Sequence, residues 1–295
     1  MSRFNTLLLR EWMQHHRGWL ALMLVPPLLM LLVLPFGSVE IGPDGLGQLP
    51  ALGLMLASMF VVPAVVLGIT VVALLIQTPG LARRDRQDRS IEFWLSLPTS
   101  HAASVAAPVL MHLVLVPLLA LAIGAAFSYA IGAMLVWKGF GATATLGLPW
   151  GTLAGVGLAG LGRGLLGVLL ACFWLMPLLL ATMAASAWLK RWGMPVLALA
   201  LAIGHKLLAS LYGITAIGDT LGALIANARA ALAHGRPPSP AGGEMAQAWL
   251  SDAPRWLFDD ALLALRDLGQ PLFLFALAAS AAGFALLVLR RRRNG

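Results

Sequence analysis

Residues 51–77, ALGLMLASMFVVPAVVLGITVVALLIQ, form an apolar stretch without a charged side chain. A helix that crosses the hydrocarbon core of a lipid bilayer, about 30 Å thick, needs about 20 such residues. This stretch is therefore predicted to span a membrane. The composition agrees, because 60% of the 295 residues are hydrophobic and 11% are charged, whereas soluble domains carry about 25% charged residues.

Five further apolar stretches, on either side of this one, are also long enough to cross a bilayer. Together they predict an all-α integral membrane protein with six transmembrane helices in one domain that comprises the whole chain. Residues 2–17 are predicted to form an amphipathic helix before the first span, with Leu7 toward lipid and Arg10 toward water. The five further predicted spans are 18–36, 103–136, 163–189, 193–213 and 268–289.

Two segments between the predicted spans carry most of the remaining polar residues. Residues 78–102 form a charged loop, and residues 214–267 form the largest segment on the outer side. Within the outer segment, helices are expected at about 217–233 and 254–267. In the second helix, Asp260 falls off the apolar stripe.

The glycine-rich stretch 146–162 is apolar but has three alternative interpretations. It is either a seventh span, a re-entrant segment or an interfacial segment. A seventh span would reverse the orientation of everything after it, so we favour the other two. Arg163, which follows directly, is expected to face outer headgroups or the glycine-rich stretch.

Charge sets the predicted orientation. With six spans and both termini inside, the cytoplasmic segments hold 13 basic and four acidic residues, and the rest of the chain holds seven basic and eight acidic residues. Lys and Arg near span ends favour the cytoplasmic side. The termini and residues 78–102 are therefore predicted to be cytoplasmic. Because the basic residues cluster beside spans, the net charge of +8 indicates a lipid bilayer as the partner and not nucleic acid.

Motifs for chemistry are missing from the sequence. It has no GxxxxGK[ST] phosphate loop, no HExxH and no GxSxG. The single cysteine, Cys172, excludes an internal disulfide framework. The adjacent pair His15 and His16 points about 100° apart on a helix, which makes it a poor chelate. No catalytic, cofactor-binding or metal-binding residue is predicted in this chain, and the chain is not expected to be an enzyme.

The loop between the second and third spans, LARRDRQDRSIEFWLSLPTSHAASVAAPVL (81–110), carries the most specific pattern. Residues 85–100 resemble the E-R-x-x-G-T-L-E-x-L-L-x-x-P-V-S stretch of the membrane subunits of type-2 ABC exporters. Glu92 stands at the Glu of T-L-E, and Pro98 at the Pro of P-V-S. Arg89 replaces the glycine of that pattern, and the lysine that often follows is absent.

This resemblance implies a permease subunit of an ATP-driven exporter in a bacterial inner membrane. The family's subunits form homodimers or heterodimers, and each binds a cytosolic ATP-binding subunit that holds the ATP and Mg²⁺. The loop would form a coupling helix that docks this partner. The residues implied in docking are Arg84, Arg86, Arg89, Glu92, Trp94, Leu95 and Pro98.

Polar side chains inside predicted spans are candidates for a substrate pathway, because the bilayer makes them costly. His112 lies in the third span, and His205 and Lys206 lie in the fifth. Alternatively, His112 bonds a neighbouring helix, and Lys206 extends its stem toward the outer headgroups. Few polar residues in the spans fit a lipid, a hydrophobic peptide or an amphipathic drug better than a small ion.

Three rival functions remain open on the sequence. A secondary transporter should show carboxylates in mid-span, and the six predicted spans have no Asp or Glu. An intramembrane enzyme would need an acid–base or metal constellation at membrane depth. A non-transporting membrane anchor or assembly subunit has no feature that distinguishes it in the sequence.

The predicted orientation can be tested by cysteine labelling. In a Cys172→Ala background, Gly295→Cys should react with a membrane-impermeant maleimide only after the cells are opened, because the C-terminus is predicted to be cytoplasmic. Labelling of Gly295→Cys in intact cells would contradict the six-span arrangement.

Overall fold

The computed structural model describes residues 3–37, 50–81, 100–235 and 243–293. All regular elements within these residues are helices, as the composition predicts. The helices are α1 (Arg3–Val33), α2 (Ala51–Leu81), α3 (His101–Leu110), α4 (Val116–Leu146), α5 (Trp150–Leu189), α6 (Gly193–Tyr212), α7 (Ala216–Leu232), α8 (Gly243–Arg266) and α9 (Pro271–Arg292), with a π-helical turn at Met111–Leu115 between α3 and α4.

Several of these helical stretches are long and apolar enough to cross a membrane, which confirms a helical, multi-pass membrane protein. Among the described residues there are five, and the fourth contains both α5 and α6. The stretches are Phe4–Val33, Ala51–Leu81, His101–Leu146, Trp150–Tyr212 and Pro271–Arg292.

The chain turns back on itself between α5 and α6. Lys190 has a φ of 55°, outside the helical region, and a short 3-10 turn, Lys190–Trp192, follows. Gly193 then lies so close to α5 that a Cβ there would come within 2.5 Å of the Cα of Ser186. Only a residue without a side chain permits this approach, so the turn joins two packed helices.

The first helix differs from the prediction, because the amphipathic segment and the first span are one helix, Arg3–Val33. Leu7, Glu11, Trp19 and Met23 are all buried, and they recur at multiples of four residues along α1. Residues four apart share a helix face, so one buried stripe continues through both predicted parts. Leu7, expected to face lipid, belongs to this stripe.

The glycine-rich stretch is also part of a longer helix and is not a separate segment. Residues 150–162 are the first turns of α5, which continues to Leu189. Glycine weakens a helix by roughly 1 kcal/mol per residue, but packing compensates here. Leu153 and Val156 are buried in a cluster with α2, α4 and α8. At Gly157, a Cβ would come within 1.8 Å of the Tyr129 hydroxyl.

The end of α2, the beginning of α3 and the end of α9 lie together at one end of the bundle. Leu81, Val105 and Leu287 share a buried cluster, and Arg290 Nε donates to the carbonyl of Ala187 over 3.3 Å. We call this the basic end, since Lys190, Arg191 and Arg290–Arg293 lie there. At the opposite end, Lys138 Nζ donates to the carbonyls of Pro35 and Gly37 over 2.7 and 2.5 Å.

The segment predicted as 214–267 contains two helices, as expected from its sequence. These are α7 and α8, and α8 begins earlier than the predicted residue 254. Leu224 of α7 and Ala264 of α8 pack in the same cluster as Trp174 of α5. The two helices therefore cover the middle of α5.

Close contact between α2 and α4 depends on small residues. A Cβ at Gly124 would lie 2.6 Å from the Cα of Pro63, and a Cβ at Gly132 would lie 2.1 Å from Ser58 Oγ. Ser58 Oγ also donates to the carbonyl of Ser128 over 3.1 Å. Small residues allow helix backbones to approach closely in membranes, where apolar surface alone drives little association.

The close contact between α2 and α4 predicts that one added methyl group at this contact lowers stability. Gly124→Ala should destabilise the protein by about 1–3 kcal/mol, because the new Cβ overlaps the backbone of Pro63. Gly160→Ala is the control, because nothing lies within 4 Å of its Cβ position. Melting of the detergent-solubilised variants should show a lower temperature for Gly124→Ala alone. Equal melting temperatures would contradict the close contact between α2 and α4.

Candidate functional site

The predicted coupling helix lies outside the residues that the structure describes. The docking roles of its seven residues remain predictions from the sequence. These residues are Arg84, Arg86, Arg89, Glu92, Trp94, Leu95 and Pro98. Among the described residues, buried side chains that can carry charge come together in two clusters, one between α1 and the π-helical turn and one between α5 and the helices α7 and α8.

The first cluster joins α1 to the π-helical turn. Glu11 is 3% exposed and His112 is fully buried. Trp19 Nε1 donates to His112 Nδ1 over 3.2 Å, and Glu11 Oε2 lies 3.7 Å from His112 Nε2. The ring of His15 meets that of His112 edge-on, with centroids 5.1 Å apart. We call Glu11, His15 and His112 the Glu-His-His cluster.

The backbone explains why His112 has this position. It lies in the π-helical turn, where the Val116 amide bonds to the Met111 carbonyl, and such turns are frequent at functional sites. Pro117 follows and has no N–H to donate to the Leu113 carbonyl. The Cys172 thiol of α5 lies 2.9 Å from that carbonyl and donates to it. Neighbouring helices satisfy freed backbone groups in this way in membrane proteins.

Arg10 balances the negative charge of Glu11 in this cluster. Its guanidinium contacts Glu11 Oε1, so the buried carboxylate has a cationic partner. Burying an unpaired carboxylate would be very costly in an apolar environment. Arg10 thus leaves the second oxygen of Glu11, Oε2, directed toward His112.

The structure does not bring the three predicted pathway residues into one site. His112 is buried against α1. His205 is half-buried on α6, where a Cβ at Gly218 of α7 would lie 2.7 Å from its Cε1. Lys206 is exposed. Of the three, only His112 lies against other polar side chains among the described residues.

Sequence reasoning missed Glu11 and His15 because it considered the wrong pair. It compared His15 with its neighbour His16, whose Nδ1 bonds to the Met13 carbonyl over 3.0 Å. The informative spacing was Glu11 to His15, i to i+4, which places both side chains on one helix face. Their partner His112 lies far along the chain, where no local pattern points to it.

The second cluster corrects the prediction for Arg163 and shows that Asp260 is its partner. Both side chains are buried and form an ion pair, with Arg163 Nη2 and Asp260 Oδ2 2.6 Å apart. Arg163 Nη1 donates to the Ala231 carbonyl over 2.9 Å. The amides of His234 and Gly235 donate to Asp260 Oδ1 over 3.1 and 2.9 Å. The pair connects α5 with α7 and α8, so neither residue faces headgroups or water.

Comparisons of the chain with protein-family models, curated proteins and solved structures found no match. The resemblance to exporter subunits therefore rests on the pattern at residues 85–100 alone.

Neutralising Asp260 in the second cluster should cause a large loss of stability. Asp260→Asn leaves Arg163 buried without a counter-charge, which should cost about 3–5 kcal/mol. Asp259→Asn is the matched control, because Asp259 is exposed on the same helix. Thermal melting in detergent should show a drop for Asp260→Asn only. A double variant, Arg163→Met with Asp260→Leu, should recover part of the loss, and equal melting of both single variants would contradict the buried pair.

Proposed function

We propose that this chain is the membrane-spanning permease subunit of an ATP-driven ABC exporter. The observation that carries the proposal is the sequence pattern at residues 85–100, between two long apolar helices. The absence of a phosphate-binding loop from the sequence agrees with a separate ATP-binding partner.

The proposed arrangement has six spans, with the turn at Lys190 dividing the fourth apolar stretch into two. Two features support it. Gly193 packs against Ser186 after that turn, and α5 and α6 are each long enough to cross a bilayer of about 30 Å at 1.5 Å per residue. With six spans, the basic end faces the cytoplasm and both termini lie there, while α7 and α8 lie at the outer face.

The proposed mechanism uses the helices that flank residues 82–99. α2 ends at Leu81 and α3 begins at His101, so a partner that moves the loop would move both helices. ATP binding would draw two such loops together in a dimer and change access to a pathway between the subunits. The small number of polar residues in the spans fits a lipid, a hydrophobic peptide or an amphipathic drug better than a small ion.

A secondary transporter is the second candidate, because Glu11 supplies a buried carboxylate that the predicted spans lack. Glu11 lies on α1 beside His112, and intramembrane carboxylates often mark ion pathways. Such a protein would run on an ion gradient and would need no ATP-hydrolysing partner.

The coupling residue Trp94 provides the test. Trp94→Ala should weaken retention of the ATP-binding subunit by roughly 30-fold, because a lost aromatic anchor costs about 2 kcal/mol or more. The measurement is Mg-ATP hydrolysis that co-purifies with the membrane subunit from its native host. Trp137→Ala is the matched control, since Trp137 is exposed near the opposite end.

Two outcomes would contradict the proposal. Equal ATPase retention in Trp94→Ala and Trp137→Ala would show that residues 85–100 do not dock the partner. No co-purifying ATPase with the unaltered chain, together with transport driven by an ion gradient, would favour the secondary transporter.

A further inference from the structure

The Glu-His-His cluster has the composition of a metal site. It offers two imidazole nitrogens and one carboxylate oxygen, and these ligand atoms all lie within 4.8 Å of one another. Two of the side chains come from α1 and the third from the π-helical turn, so the cluster joins two separate helices. It needs neither the coupling loop nor a partner chain.

His112 supplies the observation that points to a ligand. Its side chain is fully buried, and Nε2 makes no hydrogen bond among the described residues. Glu11 Oε2, at 3.7 Å, is too distant for one. Two ligands each about 2.0–2.2 Å from a Zn²⁺ ion lie roughly 3.4 Å apart in tetrahedral geometry. An ion between these two atoms therefore requires only a small adjustment.

We propose that Glu11, His15 and His112 bind a divalent transition metal ion, such as Zn²⁺, between α1 and the π-helical turn. Two imidazoles and a carboxylate leave a fourth position for water or another ligand. Ions such as Zn²⁺ and Fe²⁺ accept this ligand set, while Ca²⁺ and Mg²⁺ prefer oxygen ligands. The inference is independent of the proposed transport function.

The orientation of His15 agrees with a ligand role. Its Nδ1 lies 3.0 Å from the backbone carbonyl of Glu11. A carbonyl only accepts hydrogen bonds, so Nδ1 carries the proton and Nε2 keeps its lone pair. Metal-binding histidines are commonly oriented by such a bond to the nitrogen that does not bind the ion.

His112 has the opposite tautomer without metal. Because Trp19 donates to Nδ1, the proton of a neutral His112 is on Nε2. Metal binding at Nε2 moves this proton to Nδ1, with no net proton released from His112. Nδ1 can then no longer accept from Trp19, so the indole must turn away. The Trp19 hydrogen bond therefore stabilises the metal-free state.

Arg10 affects the site in two opposing ways. Its contact with Glu11 Oε1 orients the carboxylate, as outer partners of metal ligands often do. Its positive charge also repels a second cation nearby. We therefore expect weaker binding than at the same ligand set without a neighbouring cation.

The test uses the full chain without a polyhistidine tag, in lipid nanodiscs, with Zn²⁺ as the probe. Equilibrium dialysis with elemental analysis should give one ion per chain, and excess Ca²⁺ or Mg²⁺ should not displace it. Glu11→Gln, His15→Ala and His112→Ala should each weaken binding by about 10-fold or more. His16→Ala is the matched control, because His16 is adjacent in sequence but bonds to the Met13 carbonyl, and it should keep the affinity.

A fourth variant tests the geometry even if His112→Ala fails to fold. Trp19→Phe removes the hydrogen bond that holds the metal-free tautomer, so it should tighten Zn²⁺ binding by about 5-fold. Equal loss in His15→Ala and His16→Ala would mean adventitious binding by interfacial histidines and would overturn the site. Unchanged or weaker binding in Trp19→Phe, or no binding by the unaltered chain, would overturn it as well.

Discussion

The lack of water in the bilayer core constrains this protein more than any other condition. A polar or charged group there must find its partner within the protein, because the hydrocarbon offers none. Arg163 and Asp260 are buried inside the protein, where a charge needs a partner as well. They meet this requirement with each other, with the Ala231 carbonyl and with two backbone amides. The pair and the apolar cluster around Trp174 together hold α7 and α8 against α5.

The same constraint operates where α1 meets the π-helical turn. Glu11 can be buried because Arg10 balances its charge. The Leu113 carbonyl, which Pro117 leaves without a backbone donor, accepts from the Cys172 thiol. The two arrangements together place His112 against α1. A buried stripe along one face of α1 continues from the amphipathic segment into the first span, and the two form one continuous helix. A ligand at the Glu-His-His cluster would join α1 to the third apolar stretch.

The sequence predicted the helices, because these depend on local composition. It did not predict which side chains pair across the bundle, because those contacts join residues distant in sequence. Long apolar stretches predicted the membrane helices, and the periodicity at 254–267 predicted a helix there. The pairing of Asp260 with Arg163 was not predicted, because Arg163 lies on another helix and is distant in sequence. The helix through 150–162 depends in the same way on tertiary packing, which outweighs the cost of its glycines. His15 was dismissed with His16 because its true partner, His112, is 97 residues away in sequence.

The direction in which the basic end faces is the central claim, since it decides the side of the coupling loop and the side of the Glu-His-His cluster. Arg191 lies in the turn between α5 and α6 and is exposed. The most direct measurement is labelling of Arg191→Cys, in a Cys172→Ala background, by a membrane-impermeant maleimide. Six spans predict labelling in inside-out vesicles and protection in intact cells. Labelling in intact cells would contradict the arrangement, because the basic end would then face outward.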